Sequence, residues 1–120
     1  MIAIKRVYDP PSHADGTRIL VDRLWPRGIK KQDAQVEKWM RELGPSDKLR
    51  QYFGHDATRW REFYKRYWRE LKRREASALL AELVETARGG TLTLVYGAKD
   101  REHNQAIVLK ELLDQRMRKS

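Results

Sequence analysis

Thr91-Leu92-Thr93-Leu94-Val95-Tyr96-Gly97-Ala98-Lys99-Asp100 carries the strongest strand-to-turn signal in the chain. Its first six residues are rich in β-favouring side chains and predict a strand. Gly97 to Asp100 then turns the chain. A helix is predicted from about residue 102 to 116, buried through Ala106, Leu109, Leu112 and Leu113. On the other side, Leu79, Leu80, Leu83, Val84 and Ala87 repeat at helical spacing, and Gly89-Gly90 closes that helix as C-cap glycines. Helix, strand and helix in direct succession is the rhythm of an α/β protein.

Working outward, Trp60, Phe63, Tyr64, Tyr67, Trp68 and Leu71 recur at three- and four-residue steps, so one helix face is aromatic and reads as core. A break is expected between Lys72 and Ser77, where the apolar phase changes. Asp56 and Ser46 are suited to cap this helix and a shorter one ending near Tyr52. Residues 33–42 fit either a short helix or an extended segment. Residues 17–24 predict a strand whose run Ile19-Leu20-Val21 suggests burial on both faces. Residues 2–8 predict another, with Ile2, Ile4 and Val7 as its apolar members, stopped by Asp9-Pro10-Pro11-Ser12. The short link between these two strands favours an antiparallel or irregular connection. The expected architecture is one small α/β domain over residues 1–120, with a short, mostly parallel or mixed central sheet flanked by helices.

Composition narrows the function classes. The chain has 120 residues and no cysteine, which removes disulfides, thiolate zinc sites and cysteine nucleophiles. No apolar run approaches the roughly 20 residues of a bilayer span, and the opening Met1-Ile2-Ala3-Ile4-Lys5 has no signal-peptide h-region. A cytoplasmic protein without a membrane partner is therefore expected. Lys and Arg total 26 against 17 acidic residues, a net charge of +9. Such a surface attracts polyanions.

Two strand-to-loop junctions carry the chemistry. Asp22 and Arg23 end a buried strand, and Trp25-Pro26-Arg27-Gly28 follows. Charge there falls at the sheet edge, where α/β proteins place ligands, and arginine suits bidentate contact with phosphate or carboxylate. Asp22 could hold an arginine or act as a base. The second junction is Tyr96-Gly97-Ala98-Lys99-Asp100, followed by Glu102-His103-Asn104 at a helix start. Asp100 is an obvious N-cap there, and His103 could titrate near neutrality. Walker A, G-x-G-x-x-G and G-x-S-x-G patterns are absent, and His13, His55 and His103 lack metal-ligand spacing.

Several of these stretches together resemble one family. Gly16 through Gly28 resembles the signature of the YeaO-like proteins, a branch of the domain of unknown function numbered 488. So do Gly44-Pro45-Ser46 with Leu49-Arg50, Phe53-Gly54-His55-Asp56 with Trp60, Tyr67 with Glu70-Leu71, and Leu92 through Asp100 with His103-Asn104. The resemblance implies a compact α/β fold and no established activity. Arg6 and Tyr8 also fit its pattern. Longer relatives of this kind carry a cysteine and a glutamate where this chain has Tyr96 and Ala98, and a Cys-His-Arg near Glu102-His103-Asn104. Only His103 matches, so thiol chemistry does not transfer.

The leading expectation is an arginine-rich cleft that binds, or acts on, an anionic small molecule of phosphorylated or nucleotide-like character. Arg6, Arg18, Arg23, Arg27 and Lys99 would neutralise charge. Tyr8, Trp25, Tyr96 and Asn104 would complete the binding surface, with Trp25 or Tyr96 stacking on a flat ring. Asp22, Asp100 and His103 are the candidates for proton transfer. A nucleic-acid-binding module using the basic helix face from Arg59 to Arg74 is the alternative, and a structural or regulatory protein without catalysis is the third. No metal or cofactor is assigned from the residues.

Overall fold

A computed structural model describes residues 1–119. Four strands, β1 (Ile2–Arg6), β2 (Thr17–Leu20), β3 (Lys38–Trp39) and β4 (Leu92–Tyr96), form one sheet in the order β1-β4-β2-β3, and every pairing is parallel. Among the described residues, five α-helices complete the α/β fold: α1 (Lys31–Ala34), α2 (Asp47–Phe53), α3 (Trp60–Leu71), α4 (Arg74–Gly89) and α5 (Gln105–Arg118). No helix among the described residues is long and apolar enough to cross a membrane.

The apolar composition of β4 explains its central place. All five of its residues are buried, as a strand covered on both faces and paired on both edges requires. The pleat sends alternate side chains to opposite faces. Leu92, Leu94 and Tyr96 join Ile19 and Val21 in the larger core, together with Phe63 and Tyr67 of α3, Leu80 and Leu83 of α4 and Leu109 and Leu112 of α5. Val95 and Leu20 face the other way, onto Ala34, Trp25, Ile29, Val36 and Trp39. The long helices thus share one core, and the segment from Trp25 to Trp39 covers the opposite face. The residues of Ile19-Leu20-Val21 divide between the two cores, as the uninterrupted apolar run predicts.

The aromatic helix face packs as a series. Phe53 stacks on Phe63 at 4.4 Å between centroids, and Phe63 on Tyr67 at 5.7 Å. The Tyr67 hydroxyl donates to the Leu43 carbonyl at 2.6 Å, so its buried polar atom is satisfied. Glu70, on the same helix, accepts from the N–H and the hydroxyl of Ser46 at 2.9 and 2.6 Å. Ser46 in turn caps α2 by accepting from the Leu49 N–H at 3.2 Å, and Asp56 caps the turn leading into α3.

The structure resolves the local readings left open and corrects the start of the last helix. Of the antiparallel and irregular alternatives, the link between β1 and β2 is the irregular one: it carries only a 3-10 turn at His13–Asp15, and the two strands run parallel with β4 between them. The ambiguous residues 33–42 divide into the end of α1, the two-residue β3 and the start of a 3-10 turn at Arg41–Leu43. Gly90 ends α4 with φ 167°, an extended conformation rather than a left-handed cap. The last helix begins at Gln105, not near 102. Asp100 accepts from the N–H groups of Glu102 and His103 at 2.9 and 3.0 Å and closes a separate turn, and Asn104, in extended backbone, caps α5 through the Ile107 N–H.

Candidate functional site

At the carboxyl edge of the sheet, where β2 and β4 hand over to loops, lies a cleft of about 410 Å³. This is where parallel α/β sheets place their ligands. Its floor is Asp22, two residues beyond β2. The Asp22 carboxylate accepts from the Gly97 N–H at 3.0 Å and from the Gln105 side-chain amide. The ends of β2 and β4 and the start of α5 are thereby tied through one side chain. Gly97 has to be small: a Cβ there would lie 2.8 Å from an Asp22 oxygen.

Burial pushes the Asp22 carboxyl up to about 6, against the opposing pull of the Gly97 N–H, Gln105 and the charge of Arg50. An acid whose folded pKa exceeds its unfolded value stabilises the fold only while it is protonated. That contribution is complete below the ordinary 3.8 and declines as pH rises to about 6. Asp22→Asn is therefore expected to be more stable than the parent at pH 8, by on the order of 1–3 kcal/mol. The two proteins should converge at pH 4. Parallel urea titrations at the two pH values would show it, and an equal difference at both would contradict the burial of this charge.

The walls combine cations with flat apolar rings. Arg23, Arg27 and Arg50 line the cleft, with the imidazoles of His55 and His103 and the rings of Trp25, Phe53 and Phe63. Arg23 is braced by donating from Nε to the Pro45 carbonyl at 3.2 Å and from Nη2 to the Gly44 carbonyl at 2.9 Å. Arg27 is exposed, and among the described residues no hydrogen bond of its guanidinium is seen. Arg50 donates to Asp47 at 2.7 Å on its outer side. His103 Nδ1 lies 2.9 Å from Asp100 Oδ2, and its ring meets Trp60 edge-on at 5.3 Å. The N–H groups of Glu102 and His103 and the His103 ring hold the Asp100 carboxyl below its ordinary value, so it is an anion that orients the imidazole. His55 has a positive φ of 58°, unusual for a residue with a side chain.

The rim is laced between loops. Tyr8 lines the cleft and donates its hydroxyl to the Arg27 carbonyl at 2.7 Å. Arg6 donates from Nε to the Ala98 carbonyl at 2.7 Å, with its guanidinium 4.8 Å from the centre of the Tyr8 ring. Arg101 grips Asp9 with two bonds of 2.8 and 2.9 Å. The Trp25 indole donates to the Ile29 carbonyl at 2.6 Å and packs edge-on against Trp39.

Several residues expected to meet a ligand are placed otherwise. Arg18 lies up the strand from this edge and is buried in a separate network, donating to Asp15 at 2.7 Å, to the Ala34 carbonyl at 2.8 Å and to the Gln35 carbonyl at 3.1 Å. Tyr96 points into the helical core and bonds to Asn104, so its ring is not a stacking platform. Lys99 is exposed and outside the cleft lining, because the turn after β4 carries it outward. Asp100 contributes only through His103. Asp22 and Arg23 do not hold one another, since each is engaged by a different loop. Asn104 lines the cleft, but its amide is occupied by the Asp100 carbonyl and the cap of α5. The wall formed by Arg50, Phe53, His55, Phe63 and Gln105 was not anticipated as part of a site. Arg50, Phe53 and His55 do stand in the stretches that carry the family resemblance.

The fold and the cleft define a parallel-sheet α/β protein with a basic, partly aromatic pocket at its carboxyl edge. The chain belongs to the YeaO-like DUF488 family: the family model described as "Inactive DUF488-N3 subclade" matches residues 1–120. The uncharacterized protein YeaO of Escherichia coli (strain K12) is 44% identical over 112 residues, covering 93% of this chain and 96% of that protein. The uncharacterized protein Mb3100c of Mycobacterium bovis and the uncharacterized protein Rv3073c of Mycobacterium tuberculosis (strain H37Rv) are each 38% identical over 115 residues, covering 96% of this chain and 95% of theirs. No solved structure gives a significant match.

Proposed function

We propose that the cleft binds a small anionic molecule of phosphorylated or nucleotide-like character, and holds it without turning it over. The observation that carries this reading is the convergence of Arg23, Arg27 and Arg50 around Asp22 at the carboxyl edge of the sheet. Guanidinium groups satisfy phosphate or carboxylate oxygens in pairs. Asp22, partly protonated near pH 6, repels an incoming anion less than an ordinary aspartate would. The Trp25 and Phe53 rings supply apolar surface for an attached ring system.

The chemistry of the lining argues for binding over turnover. Among the described residues, no serine, threonine or cysteine lines the cleft. The Asp22 carboxylate is engaged by Gly97 and Gln105. The description of the matched family as an inactive subclade agrees with this.

Thermal unfolding with a panel of nucleotides and sugar phosphates tests the reading. A ligand at a hundred times its Kd adds about 2.7 kcal/mol, equivalent to a rise in Tm on the order of 10 °C for a domain of this size. The double variant Arg27→Ala/Arg50→Ala should keep the unliganded Tm within a few degrees and lose the ligand-induced rise. If the parent protein shows no rise with any anion in the panel, the proposed role of the cleft fails.

A further inference from the structure

We propose that the outer face of α3 is a binding surface for single-stranded nucleic acid, separate from the cleft. The positive charge of the chain is concentrated here. From Arg59 to Arg74 there are eight basic residues and two acidic ones, a net of +6 within a total of +9. The two acids do not neutralise the outer face. Glu70 turns inward to Ser46, and Glu62 is paired with Arg66 at 2.8 Å, whose guanidinium also lies over the Tyr52 ring. Arg59 is held by the Tyr52 carbonyl and Asp56.

What remains is a row. Arg61, Lys65, Arg69 and Lys72 are all exposed, and none is paired with a carboxylate among the described residues. Their four-, four- and three-residue steps keep them on one side of the helix, about 4.5–6 Å apart along its axis. Closely spaced cations without a carboxylate partner present an attractive field to a chain of phosphates.

A second observation chooses the form of the polyanion. Tyr64 and Trp68 lie along the border between this row and the core. They are only half buried and nearly parallel, with centroids 5.7 Å apart and an interplanar angle of 12°. Lys72 extends over the Trp68 ring at 5.8 Å. Flat rings beside a cationic track suit a strand whose bases are unstacked and able to lie on them, whereas a duplex keeps its bases inside.

Fluorescence anisotropy with a labelled single-stranded oligonucleotide of about 12 nucleotides tests this. Four phosphate contacts predict a plot of log K against log salt with a slope of about −3, hence a roughly fifty-fold loss between 50 and 200 mM salt. Lys65→Ala/Arg69→Ala should halve the slope. Lys65→Glu/Arg69→Glu should weaken binding at least about tenfold at low salt, with an unchanged circular dichroism spectrum. Arg27→Ala, in the cleft, should leave this binding as it was. Absence of binding at low salt, or equal affinity of the parent and the charge-reversed variant, would overturn the proposal. So would a duplex or phosphatidylserine vesicles bound as tightly as the single strand.

Discussion

Asp15→Ala is expected to lower the unfolding free energy by about 3–5 kcal/mol, because it strands a buried guanidinium. Asp15 and Arg18 are 9% and 4% exposed. The carboxylate accepts from Arg18 at 2.7 Å, from Lys5 at 3.1 and 3.2 Å and from the Ser12 N–H at 3.0 Å. Removing it leaves Arg18 with the carbonyls of Ala34 and Gln35 but no counter-charge. Burial alone would raise the Asp15 pKa. The Ser12 N–H, Lys5 and Arg18 outweigh it and hold the group below its ordinary 3.8. A depressed carboxylate pKa contributes stability above the unfolded value and loses it as pH falls through the folded one. The parent should therefore lose this contribution only below about pH 4, and the deficit of Asp15→Ala should shrink there. Chemical denaturation at pH 7 and pH 3 measures both effects. A deficit under 1 kcal/mol at pH 7 would show that the network is replaceable.

Phe63→Ala is expected to cost a similar amount, about 3–5 kcal/mol, and to impair the cleft as well. Phe63 is 2% exposed and sits between Phe53 and Tyr67 in the aromatic series. Its loss opens a void in the larger core and removes one wall of the cleft. Phe63→Leu should recover much of the stability, since the residue remains apolar and sizeable. Equilibrium unfolding of both variants, with the nucleotide and sugar-phosphate panel repeated on Phe63→Leu, separates the packing role from the wall role. Unchanged stability in Phe63→Ala would contradict the packing described for α3.

The fold was readable where local pattern and burial coincide. The apolar runs of β2 and β4 announce strands covered on both faces, and the spacing of aromatics announces the buried side of α3. β3 was not readable, because Lys38–Trp39 is too short to show alternation and pairs with β2 only through tertiary placement. The strand order was hidden for a related reason: the register of Arg6 with Tyr96 joins residues ninety positions apart in the chain, and local propensity carries no record of such pairings. The cleft was half legible. Asp22, Arg23, Trp25 and Arg27 sit where a strand stops, a position with its own chemical meaning. Arg50, Phe53 and Phe63 come from helices, whose contribution to a cleft depends on how they dock. Arg18 misled because a charged residue beside a buried run reads as functional, whereas here it neutralises Asp15 inside the fold.

The lacing of the rim sets the terms on which any guest enters. The Tyr8 hydroxyl and Arg6 fasten to main-chain carbonyls of neighbouring loops, and Arg101 clamps Asp9, tying the segment after β1 to the turn after β4. Loops held in this way are set in advance, so a ligand of the kind proposed would be taken up with little loss of ordering entropy. Side chains projecting from those loops can be exchanged while the main-chain frame stays in place, which lets one scaffold adopt new selectivities without being rebuilt.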